Sequence, residues 1–131
     1  MSSGKTNPPF KSADELAHAI AELAAAKKAD DVTILDVSQQ TSITDFLVIC
    51  SGNSDVHVKA ICDTIQEELK PPVKPWHSEG VENRRWVLLD YVDVVVHIFL
   101  QEARDYYQLE RLWADAAREQ IGVPATDRTQ G

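Results

Sequence analysis

Asp90, Asp93 and a short glycine-serine turn are the residues of this chain best suited to chemistry. The two aspartates stand near the ends of adjoining apolar runs, and carboxylates so placed hold Mg²⁺ against substrate phosphates in group-transfer enzymes. Ser51-Gly52-Asn53-Ser54 lies between an apolar run and the start of a helical pattern, where free backbone N–H groups accept anions. Against catalysis, the spacing of Asp90 and Asp93 sets them on opposite faces of a continuous strand. No Lys or Arg stands beside the turn to grip phosphates. The turn therefore reads either as a phosphate cradle or as a plain strand-to-helix connection, with Ser54 as N-cap and Gly52 permitting a sharp chain reversal. His18, His57, His77 and His97 lack the short paired spacing of zinc sites. There is no Gly-x-Ser-x-Gly elbow, Walker loop or dinucleotide fingerprint. The expectation is a protein that is not an enzyme and takes neither cofactor nor metal.

One domain must position these residues. The chain has 131 residues, 44% hydrophobic and 26% charged, a globular mix that excludes disorder along most of its length. Cys50 and Cys62 each sit inside an apolar run, which points to a reducing compartment rather than a stapled secreted scaffold. No run approaches the roughly 18 to 20 apolar residues of a membrane span, and the N-terminus has no apolar signal core. The expected location is the cytoplasm. Residues 1–11 read as a flexible leader, 12–120 as the domain and 121–131 as a flexible tail. Ser12 and Glu15 have capping-box spacing ahead of a helix over 13–26. Strands follow at 32–37 and 46–50. A second helix carries Val58, Ile61, Cys62, Ile65 and Leu69 on one stripe and stops at Pro71-Pro72. The segment 73–78 contains Pro75, so as a strand it belongs at an edge. Strands at 86–89 and 93–99 come next. Tyr106, Leu109, Leu112, Trp113 and Ala116 have the spacing of one last helix, ended by Gly122 and Pro124. The order αββαβββα predicts an α/β domain with a mixed five-stranded sheet and helices packed on it.

Charge and aromatic content point to a protein partner. Lys and Arg number 13 against 21 Asp and Glu, a net charge of −8. Residues 1–11 carry +2 and 121–131 carry none, so the body, 12–120, carries −10. Direct nucleic-acid reading needs a basic surface, and no window of the chain offers one. An acidic domain suits a basic protein, because complementary potentials speed encounter. Trp76, Trp86, Tyr91, Tyr106, Tyr107 and Trp113 crowd the second half of the chain, and such side chains dominate interface energies.

The run Thr44-Asp45-Phe46-Leu47-Val48-Ile49-Cys50-Ser51-Gly52-Asn53-Ser54 resembles the T-D-[YF]-x-V-I-x-S-G-x-S signature of the Iojap family, the ribosomal silencing factors. Three further stretches agree with that family: Glu79-Gly80, the run from Trp86 to Phe99, and the run from Arg104 to Trp113. The likeness covers about residues 13–116 in order. Val92 departs from it, standing where the family usually has glycine, and Leu47 replaces a more usual aromatic residue. The resemblance implies a nucleotidyltransferase-like fold without transferase activity, and a homodimer. It also implies a partner, large-subunit ribosomal protein fourteen, on the face of the large subunit that meets the small one. Occupying that face would block subunit joining and damp translation when nutrients are short. On this view Trp86, Leu88 and Tyr91 are the apolar anchors, Asp90 and Asp93 face basic side chains, and Val87 and Leu89 point into the core. Tyr106 and Tyr107 form a second contact area, for the ribosome or for the dimer. A residual nucleotidyltransferase and a general adaptor are the alternatives.

Overall fold

A strand with no polar alternation must be covered on both faces, and the sheet is built outward from such a strand. In the computed structural model, which describes residues 10–69 and 73–121, this is β2, Phe46–Gly52, buried from Leu47 onward. β1 (Asp30–Asp36) lies antiparallel on one side of it. β5 (Val94–Leu100) lies parallel on the other, from Phe46 opposite Val94 to Gly52 opposite Leu100. β4 (Trp86–Asp90) pairs antiparallel with β5, and the three-residue β3 (His77–Glu79) with β4.

Helix α1 (Ala13–Ala26) begins where the Ser12 hydroxyl accepts the Glu15 N–H at 3.1 Å, while the Glu15 carboxylate accepts the Lys11 N–H at 2.9 Å. Helix α2 (Asp55–Leu69) buries the stripe Val58, Ile61, Cys62, Ile65 and Leu69. Both helices cover one face of the sheet, over Ile34, Val48, Cys50, Val87, Leu89, Val96 and Ile98. The opposite face carries a smaller core of Leu35, Leu47, Ile49 and Phe99, closed by Ala103, Leu109 and Trp113.

The C-terminal third departs from expectation. In place of one long helix there is a short helix α3 (Gln101–Tyr107), a 3₁₀ turn (Leu109–Trp113) and a sixth strand, β6 (Ala117–Ile121). The sheet therefore has six strands, in the order β3-β4-β5-β2-β1-β6. Gln108 adopts the left-handed conformation, φ 50° and ψ 51°, which ends α3. Leu109 and Trp113 still reach the core, but Leu112 is exposed. β6 forms because β1 offers it a free edge, with Val32 opposite Ile121 and Asp36 opposite Ala117. The domain thus includes Ile121, one residue past the expected boundary, and Phe10 of the expected leader packs on the helical core. Residues 1–9 of that leader, the Pro71-Pro72 stop and residues 122–131 lie outside the described residues.

The turn between β2 and α2 is occupied by its own side chains. Ser54 Oγ accepts the His57 N–H at 3.1 Å, so Ser54 is the cap expected of it. The Asn53 N–H donates to His57 Nδ1 at 3.1 Å, which leaves the proton on Nε2 to donate to the Lys27 carbonyl at 2.8 Å. Gly52 is needed for close approach rather than for chain reversal. A Cβ there would sit 3.1 Å from both Cγ2 and N of Val58. These contacts make the turn a structural connection. Ser54→Ala should lower the unfolding free energy by about 1 kcal/mol, the usual loss for a hydroxyl N-cap. Urea denaturation checks this, and an unchanged midpoint would show that α2 does not depend on the cap.

Candidate protein-docking face

Strand period two sends alternate β4 residues to opposite sides of the sheet. Val87 and Leu89 are fully buried under the helices, while Trp86, Leu88 and Asp90 lie half-buried on the other face. Across the ladder Trp86 stands opposite Phe99, Leu88 opposite His97, and Asp90 opposite Val95. The Trp86 ring lies 4.8 Å from that of Phe99, 5.8 Å from His97 and 4.9 Å from Tyr107. Tyr106 then meets Tyr107 edge-on at 5.0 Å. Trp86, Tyr106 and Tyr107, expected in two areas, are therefore one cluster. Tyr106 is 79% exposed at its outer end.

A part-buried hydrogen bond fixes the indole. Trp86 Nε1–H donates to His97 Nδ1 at 2.9 Å, so the His97 proton resides on Nε2. His97 is buried, and desolvation pushes its pKa down to about 4.

Tyr91 is not an exposed anchor. Only 8% of it is accessible, and it packs in the helical core with Val87 and Leu89. The strict alternation of 87, 89 and 91 carries it there, away from Trp86 and Leu88. Burial raises its phenol pKa well above the ordinary value, and its hydroxyl has no hydrogen-bond partner among the described residues. The neighbouring aspartates build the turn between β4 and β5. Asp90 Oδ1 accepts the Val92 N–H at 2.8 Å, and the Asp93 carbonyl accepts the N–H groups of Asp45 and Phe46, each at 3.1 Å. Val92 takes φ +76°, a left-handed backbone natural to the glycine usual there and strained for a β-branched residue. Among the described residues no three His, Cys, Asp or Glu side chains gather as a metal site.

Two positioning residues were not legible as such. Arg104, 7% exposed, donates through Nη1 to Ser51 Oγ at 3.0 Å and to the Asp30 carbonyl at 3.3 Å, and through Nη2 to Glu110 Oε2 at 2.6 Å. A lone arginine in a helical pattern normally reads as solvent-facing. Gly80 has φ +77°, and a Cβ there would fall 2.0 Å from the Trp86 carbonyl oxygen, so only glycine lets β4 start where it does. An open cleft of about 940 Å³ beside Arg104 is lined by Asp31, Asp105, Glu110, Arg111 and Arg118. Its charges balance, and it assembles no nucleophile with a base.

A half-buried Trp86 on the sheet face, continued by exposed Tyr106 and Tyr107 on α3 and set in an acidic body, gives this α/β domain an aromatic surface of the kind that protein interfaces use. The family described as ribosomal silencing factor during starvation matches residues 10–131. A ribosomal silencing factor of Bacillus subtilis is 41% identical over 102 residues, spanning 74% of this chain and 86% of that protein. A crystal structure from Chromobacterium violaceum superposes with a TM-score of 0.76 at 36% identity, covering 87% of this chain and 92% of its own. One from Bacillus halodurans does so with a TM-score of 0.68 at 34% identity, covering 84% and 99%. The chain belongs to the ribosomal silencing factor family, which is regulatory and not enzymatic.

The His97–Trp86 bond has a pH signature. The folded His97 stays neutral down to about pH 4, whereas an unfolded histidine protonates below its ordinary 6.5. The unfolded state thus binds the extra proton first, and stability falls as pH drops from about 6.5 to about 4, by up to about 3 kcal/mol. His18 acts in the opposite sense, its pKa raised by the Asp14 carbonyl and then by Glu119, so the comparison must be between variant and parent. His97→Gln keeps an acceptor for the indole and does not titrate. Urea midpoints measured from pH 7 to pH 4 should fall less steeply for the variant, and equal slopes would remove His97 as the source.

Proposed function

We propose that this protein represses translation by docking on large-subunit ribosomal protein fourteen and sterically excluding the small subunit when nutrients are short. The observation that carries the reading is the Trp86 ring, held by Phe99, Tyr107 and the His97 hydrogen bond on an otherwise open sheet face. A ring already immobilised loses little entropy on binding, so its contact area converts efficiently into affinity. Leu88 extends the apolar surface along β4, and Tyr106 and Tyr107 extend it across α3. Asp90 and Asp93 stand at the far end of the strand, where carboxylates facing Lys or Arg set orientation and rate more than affinity. Tyr91 contributes from below, by filling the core under the turn. The acidic body favours a basic protein over rRNA. The work is done by binding alone, in the cytoplasm, by a chain that forms a homodimer.

Sucrose-gradient profiles of separated subunits, mixed at physiological Mg²⁺ with excess protein, provide the test. The joined peak should shrink in favour of free large subunits, and a persistent joined peak would overturn the proposal. Tyr106→Ala should keep the parental melting temperature, because the side chain is mostly in solvent. Its binding to the isolated ribosomal protein should weaken about tenfold, equivalent to about 1.4 kcal/mol. Association should also slow between about 0.1 M and 1 M salt, as the Debye length shrinks from about 10 Å to about 3 Å.

A further inference from the structure

Three exposed apolar side chains outside the aromatic cluster gather at one end of the sheet. Trp76 is 78% exposed, Ile43 82% and Val92 54%. Backbone hydrogen bonds place them along one rim. The Trp76 N–H donates to the Asp90 carbonyl at 2.7 Å, which seats Trp76 beside the β4–β5 turn that carries Val92. The Asp93 carbonyl then takes the Asp45 N–H at 3.1 Å, joining that turn to the β1–β2 loop that carries Ile43. From β3 to β1 the rim crosses four strand spacings, about 19 Å at roughly 4.8 Å each. That is the footprint of a short peptide segment.

The two loops between these side chains carry charge of one sign, while Lys74, in a pocket with Asp63 and Glu67, and Arg118, beside Asp36, stand at the two ends of the rim. Asp36, Asp45, Asp90 and Asp93 lie along the rim, and neither the segment 36–46 nor the segment 89–95 contains a Lys or Arg. Asp45 and Asp93 are exposed, and Asp36 is kept ionised by its hydrogen bonds from Ser38, which lower its pKa. An apolar stripe set among carboxylates repels phosphate backbones. It also repels its own copy, since a twofold through the rim would bring like charges together. Val92 adds a further sign, because its side chain projects from a strained left-handed backbone that glycine would relax.

The geometry points to this rim as a second docking surface, for a cationic segment of a partner protein in which apolar side chains alternate with Lys or Arg. The surface is distinct from the Trp86 face, and Asp90 and Asp93 border both. Trp76 is the anchor, Val92 and Ile43 widen the apolar contact, and Asp45 and Asp93 take the cationic side chains.

A fluorescein-labelled octapeptide of alternating Arg and Leu, titrated by fluorescence anisotropy, tests this with the intact chain. It should bind the parent and bind Trp76→Ala about tenfold more weakly, as loss of a central aromatic anchor does. The pair Asp45→Asn with Asp93→Asn should weaken it comparably. Val92→Gly should weaken it while melting no earlier than the parent, which separates lost contact from lost fold. Tyr106→Ala should bind the peptide as the parent does. Equal affinity for an Arg/Ser or a Glu/Leu octapeptide would overturn the proposal. So would equal losses in Trp76→Ala and Tyr106→Ala, or a dimer seen in sedimentation that Trp76→Ala dissociates.

Discussion

The buried guanidinium of Arg104 is the constraint around which the second half of the molecule is arranged. A charge removed from water is tolerated only when paired and hydrogen-bonded, and Arg104 meets that condition with partners from three separate segments. Glu110 supplies the counter-charge, Ser51 the hydroxyl at the end of β2, and Asp30 the carbonyl at the start of β1. To bring Glu110 back to Arg104 the chain must turn sharply after Tyr107, and Gln108 provides that turn in its left-handed conformation. Removing Glu110 would strand the Arg104 charge in the interior, a far larger loss than that of a surface ion pair.

From that turn the docking face follows. Ending α3 at Tyr107 leaves this ring against Trp86 rather than farther along a helix, and sends the chain across the sheet toward β1. Two unequal cores result. The large one, beneath α1 and α2, is apolar apart from the Tyr91 hydroxyl and the thiols of Cys50 and Cys62. The small one stops at Trp86 and leaves the β4–β5 end of its face uncovered. The aromatic cluster is thus the unfinished margin of a core, which explains why its rings are both rigid and accessible.

Periodicity carried the first hundred residues because there it reflects burial directly. The unbroken run of β2, the α2 stripe and the capping box at Ser12 each have one physical reading and formed as read, and Ser54 took the capping one of its two readings. The facing of β4, with Val87 and Leu89 inward and Trp86, Leu88 and Asp90 outward, followed from alternation. Tyr91 was misplaced where alternation was set aside in favour of ring size. The last helix failed for a different reason. Leu109 and Trp113 have helical spacing and do reach the core, but the break between them and Tyr106 depends on a tertiary ion pair that no local pattern records. Ala117 to Ile121 has no strand signature at all, being mostly exposed and polar. It is a strand because β1 has an unpaired edge beside it. Positive φ at Gly80 and Val92 was equally hidden, since both arise from how neighbouring strands meet.

The pairing of β6 with β1 joins the last strand of the described chain to the first, and the His18–Glu119 bond spans 101 residues beside it. Contacts so distant in sequence form late, since the loop-closure cost must be met before they give anything in return. A growing chain cannot close this sheet until its final strand has left the ribosome that makes it. For a member of a ribosome-silencing family the consequence is a built-in order of events. The sheet stays open along β1 until Ala117–Ile121 has emerged to pair with it.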